Sequence, residues 1–189
     1  MNMVKDAIAV ALVGSVLAGC AAISDVRGPT VISYDHGALD TLMELGVGEN
    51  VLAVPHQGLP DYLLEFGHQL PDAGSLKVPE LAAIETLKPD LVLMTGRQGE
   101  AIEEVAELTR VKEITLPEGT YQEAVTARVL DLSRLYGLEA RGEAELSSLW
   151  NYVKDRKEEL DSAGAVTVVT HNEGKFSLRD EPVDYELLG

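Results

Sequence analysis

The chain has 189 residues, 46% apolar and 25% charged, a composition that suits a folded domain with a full core. Its 32 Asp and Glu against 15 Lys and Arg leave a formal net charge of −17, which repels phosphate backbones and excludes nucleic acid as a partner. One cysteine excludes an internal disulfide and cysteine-ligated zinc.

In chain order, the first segment reads as a targeting signal. Lys5 precedes an apolar stretch over residues 7–17 that is too short to span a bilayer. It ends in Leu17-Ala18-Gly19-Cys20, which resembles a bacterial lipobox, where the signal is cut before the cysteine and the thiol is lipidated. Residues 1–19 are therefore expected to be a lipoprotein signal peptide and residues 20–29 a short tether. The mature protein is expected to be exported, to the periplasm or the outer face of the cell membrane, and lipid-anchored at Cys20.

From residue 30 short β-branched runs alternate with helical stretches. Strands are expected at residues 30–34, 51–54, 91–95 and 111–116. Helices are expected at 38–45, 60–66, 79–87 and 100–108, with a turn at Asp35-His36-Gly37. This rhythm predicts a Rossmann-like α/β lobe with a parallel sheet over residues 30–120. Two long helices, 121–136 and 139–160, then carry hardly a strand signal, so residues 121–162 read as a helical spine between lobes. A strand at 165–170, a turn at 172–175 and a strand at 176–179 follow. One strand pair cannot make an independent domain, so residues 163–189 read as the start of an incomplete second α/β lobe.

Ligands of open α/β sheets sit beyond the carboxyl ends of the strands. Thr95-Gly96-Arg97-Gln98-Gly99 occupies such an end. Its glycines admit close backbone approach, and Arg97 offers a planar, permanently charged fork to oxygen anions. The alternative is a surface arginine paired with Glu100, Glu103 or Glu104. The glycine spacing matches neither a dinucleotide fingerprint nor a phosphate-binding loop. Tyr34 and His36 follow the first strand, and His56 follows the second. Each histidine could donate a hydrogen bond or ligate a metal, but neither has a partner at ligand spacing, and no metal site is assigned. No nucleophile elbow, cysteine nucleophile or His-Glu-x-x-His motif is present, so a binding protein without cofactor is expected rather than an enzyme.

An ordered series of short motifs adds to this. Tyr34-Asp35-His36-Gly37-Ala38-Leu39, Leu45-Gly46-Val47-Gly48, Leu59-Pro60-Asp61-Tyr62-Leu63, Gly74-Ser75-Leu76-Lys77, Leu87-Lys88-Pro89-Asp90-Leu91, Gly96-Arg97-Gln98 and Asn172-Glu173-Gly174-Lys175 occur in sequence over residues 30–175. Together they resemble the ferric catecholate-siderophore-binding proteins of bacterial ABC importers, a class that also includes cobalamin and haem binders. The resemblance implies two α/β lobes joined by a long rigid helix, with the ligand in the cleft and an ABC permease as partner. It implies that Arg97, flanked by Gly96 and Gln98, is one of several arginines meeting the anionic iron chelate. His36 stands where the family often has an aromatic residue, and Ala82 where it often has a permease-docking glutamate, with Glu80 the nearest acid. Arg179 lacks the family's surrounding motif and receives no role. The shortened second lobe leaves a second expectation open: a member that no longer binds ligand alone and acts through protein contacts.

Overall fold

A computed structural model describes residues 28–160, 167–179, 183, 186 and 187. The signal segment, Cys20, most of the tether and the strand start at 165–166 lie outside these residues.

The chain alternates strand and helix from Val31. Strand β1 (Val31–Ser33) leads to helix α1 (His36–Glu44), β2 (Val51–Ala53), the short α2 (Leu64–Gly67) and α3 (Leu81–Leu87). Then come β3 (Leu91–Met94), α4 (Ala101–Ala106), β4 (Val111–Glu113), α5 (Tyr121–Arg134) and α6 (Glu139–Leu160). An isolated hairpin, β5 (Val169–Asn172) and β6 (Lys175–Leu178), completes the described elements. The first four strands form one parallel sheet in the order β2-β1-β3-β4.

The sheet is covered on both faces because its central strands are apolar on both. Val31, Leu91 and Leu93 pack with Ala38, Leu39 and Leu42 of α1 and Leu132 of α5. Ile32, Val92 and Met94 pack the other way, against Ile84 of α3 and Val105 of α4. Burying a Leu or Ile side chain contributes roughly 1.5–3 kcal/mol, so these two layers dominate the stability of the lobe.

Element boundaries follow local chemistry. A turn is expected at 35–37, but His36 and Gly37 form the first turn of α1. Asp35 is its cap: extended at φ −138°, it accepts the Ala38 N–H at 2.8 Å. The helix stops at Gly46, whose φ of +74° suits glycine, with Val47 N–H returning to the Leu42 carbonyl at 3.0 Å. Helix α5 starts with a reciprocal Thr120–Glu123 capping box.

Helices α5 and α6 pack together at Gly142. A Cβ there would come within 2.2 Å of the Ser133 hydroxyl, so glycine leaves room for that side chain. Trp150 on α6 donates its indole N–H to Thr126 on α5 at 3.2 Å. Among the described residues no helix is long and apolar enough to cross a membrane.

Candidate ligand-binding site

The strand order fixes where the site lies. From β1 the chain steps outward to β2, then crosses back over β1 to reach β3 on its other side. Helix α1, which follows β1, covers one face and α4, which follows β3, covers the other, so the connections leaving β1 and β3 diverge at the carboxyl edge. The crevice between them is the topological switch point, the usual binding place of open α/β sheets. Asp35 and His36 stand at one lip and Thr95 to Gly99 at the other.

The second lip is a single turn of 3₁₀ helix, Gly96–Gln98, built by side chains. Thr95 accepts the Arg97 N–H through its hydroxyl at 3.4 Å, while Gln98 Oε1 accepts the Thr95 N–H at 2.7 Å. The Gly96 N–H donates to the Thr115 hydroxyl, beyond β4, at 3.2 Å. A Cβ on Gly96 or Gly99 would meet nothing within 4 Å, so the turn opens to solvent. Arg97 is exposed at its centre. Among the described residues it makes no ion pair, and the expected alternative partners Glu100, Glu103 and Glu104 do not engage it.

The other expected site residues divide. Tyr34 is wholly buried, its hydroxyl donating to the Ala73 carbonyl at 2.9 Å, and burial pushes its phenol up to about 12. It continues the β1 alternation into the α3 and α4 face, so it is a core residue and not a ligand contact. Gln98 is also corrected: it is 4% exposed with both ends of its amide bonded, and it holds the turn rather than facing the crevice. His36 is half-buried and donates from Nε2 to the Pro55 carbonyl at 3.3 Å, tying the β1 lip to the end of β2. His56 donates from Nε2 to the Leu70 carbonyl at 3.0 Å and lies 5.1 Å from the His68 ring. Among the described residues no group of three or more His, Cys, Asp or Glu is gathered to hold a metal.

Two cations were missed in the sequence. Gln98 Nε2 donates to the Leu76 carbonyl, which brings the 74–79 loop to the Arg97 turn and with it the exposed Lys77. No local pattern signals that approach, because it depends on the fold. Arg128 lies behind the first lip, its Nη1 3.5 Å from Asp35 Oδ1, with a buried Nε that has no partner. It borders a cavity of about 640 Å³ between α1, α5 and α6. Here a signal existed: Ala124, Val125, Arg128 and Leu132 follow the helical period, so a charge sits on the apolar stripe. Burial raises the carboxyl pKa of nearby Asp40, while Arg128 acts to lower it. With Asp35 and Asp40 beside it, Arg128 is already compensated, whereas Arg97 and Lys77 are exposed and make no ion pair among the described residues.

Comparison with known proteins agrees with the fold. No family model matches the chain. The petrobactin-binding protein YclQ of Bacillus subtilis is 30% identical over 162 residues, covering 84% of this chain and 50% of that protein. The chain is a homologue of siderophore-binding proteins. The crystal structure of YclQ superposes with a TM-score of 0.79 at 26% identity, over 86% of this chain and 60% of the other. The ferric-anguibactin-binding protein FatB of Vibrio anguillarum is 25% identical, over 80% of this chain and 48% of its own length. The iron uptake ABC transporter substrate-binding protein PiuA of Streptococcus pneumoniae shares the fold, with a TM-score of 0.73 at 24% identity over 80% and 55% of the two chains. The chain spans about half the length of the two relatives matched by sequence.

Proposed function

We propose that the chain is a substrate-binding component of an ABC importer for iron–siderophore uptake. It takes up an anionic ferric chelate, a ferric catecholate in the first instance, without transforming it. Residues 30–120 are the first ligand-binding lobe, 121–162 the spine and 163 onward the beginning of the second lobe. Export and a lipid anchor at Cys20 fit the lipobox and the extracytoplasmic work of such a component.

The observation that carries this reading is Arg97: an exposed guanidinium, unpaired among the described residues, at the switch-point crevice of a siderophore-binding homologue. The chain's −17 charge argues against an anionic ligand only at long range. Screening cuts that field off within about 8 Å at physiological salt, while charge-assisted hydrogen bonds act at contact. Local cations therefore decide the sign of the site.

Titration of the purified mature chain with a ferric tris-catecholate, followed by quenching of Trp150, tests the reading. Arg97→Ala is expected to remove about 1.5–3 kcal/mol, roughly ten- to a hundredfold in Kd. An unchanged Kd would overturn the role of Arg97. A wild-type chain that shows no quenching would favour the second reading, a family member acting through protein contacts. One observation favours that reading: Phe176 and Leu178 of the hairpin are each 73% exposed.

A further inference from the structure

The two cations at the crevice sit on separate segments, and neither segment alone sets their spacing. The 74–79 loop is held internally: the Ser75 N–H donates to the Val78 carbonyl at 3.0 Å, and the Val78 N–H to the Ser75 hydroxyl at 3.0 Å. Gly74, at φ +99°, bridges to Pro79 at its base, where a Cβ would come within 2.8 Å of the Val78 carbonyl oxygen. The Arg97 turn is held by Thr95 and Thr115. What these bonds leave open is the placement of one rigid segment against the other.

Gln98 closes that gap. Its Oε1 accepts the Thr95 N–H on the turn, and its Nε2 donates to the Leu76 carbonyl on the loop. The residues next to its two anchor segments, Arg97 and Lys77, are the exposed cations. We infer that Gln98 is a positioning residue for anion binding: its buried amide clamps the Arg97 turn to the Lys77 loop, so both cations meet the ligand at a preset spacing. This rests on the anion-binding reading above. Glutamine suits the task because it offers a donor and an acceptor at one end of one side chain. Ordering the cations before the ligand arrives spares the cost of ordering them on binding.

Gln98→Met keeps the approximate length, adds no charge and removes both hydrogen bonds. Titration with a ferric tris-catecholate is expected to give a Kd about tenfold weaker than wild type, in the range of coupled neighbours. In an Arg97→Ala background the same change is expected to cost about twofold or less, since the clamp then has one cation fewer to place. Amide hydrogen exchange at Arg97, Gln98 and Gly99 is expected to quicken in Gln98→Met, with α1 and α5 keeping their protection. An equal loss of affinity in both backgrounds would overturn the inference, as would unchanged exchange in the turn. A wild-type chain that does not bind would overturn the functional reading instead, and the exchange measurement would still decide whether Gln98 clamps the two segments.

Discussion

The parallel sheet and the β5–β6 hairpin use strand residues in opposite ways. Strands β1 and β3, Val-Ile-Ser and Leu-Val-Leu-Met, are buried at every position, with helices on both faces. The hairpin alternates instead. Its register pairs Val169 with Leu178 and His171 with Phe176 on one face, and Thr170 with Ser177 and Asn172 with Lys175 on the other. The apolar face has the composition of a core, yet Val169 is 47% exposed and Phe176 and Leu178 are each 73% exposed. Continuous apolar runs mark strands that need two covers, and alternation marks strands that need one. The parallel sheet has both of its covers among the described residues. The hairpin has neither a cover nor a third strand there.

The largest test of this contrast is truncation of one leucine in each region. Leu93 is wholly buried at the centre of the sheet, and Leu93→Ala is expected to cost about 2–5 kcal/mol in urea unfolding. Leu178→Ala is expected to stay within about 0.5 kcal/mol, because its side chain already meets water. Comparable losses at both positions would mean that the hairpin's apolar face is covered in solution.

Most of the parallel-sheet fold was legible in its pattern. Strand starts and the two long helices follow from residues whose chemistry acts locally. The candidate site was legible only in part. Arg97 could be placed because a strand-to-helix turn announces itself in three or four residues. Lys77 could not, because its approach is made by one long-range hydrogen bond from Gln98 to Leu76. Tyr34 and Gln98 sit beside the right turns, and their position alone suggests ligand contacts. Sequence position says which loop carries a side chain but not which way it points, and the pleat turns Tyr34 inward.

That inward turn has a measurable consequence at alkaline pH. Tyr34 and Tyr136 are buried, and burial pushes each phenol from an ordinary value of 10 up to about 12. Below pH 10 both the folded and the unfolded chain hold these protons, and the stability they contribute is intact. Between 10 and 12 the unfolded chain gives them up while the folded chain keeps them, so unfolding becomes more favourable as pH rises. The loss approaches about 3 kcal/mol per tyrosine once pH passes 12. Tyr34→Phe is expected to flatten part of that decline, at a cost of about 1 kcal/mol at neutral pH for the lost bond to Ala73. Both are expected to ionise well above the ordinary phenol value of 10 in an ultraviolet absorbance titration. Titration of both at the ordinary value of 10 would mean that the fold opens before its phenols ionise.

The smallest expected effect separates local pairing from missing cover. The hairpin turn places Glu173 at φ +49° and Gly174 at φ +80°, the pair of left-handed residues that matches the twist of two antiparallel strands. Such a turn stabilises the hairpin from within, with no help from a covering layer. His171 and Phe176 add a ring contact at 4.7 Å, and cross-strand pairs of this kind contribute about 0.2–1 kcal/mol. Phe176→Ser removes that contact and half of the pair. It is expected to lower hairpin protection in amide exchange by a few-fold and to leave the melting transition of the first lobe in place, since the lobe's layers do not include the hairpin. A shift of the whole transition would show the hairpin folding as one unit with the sheet, and would move the source of its stability from its own turn to a shared core.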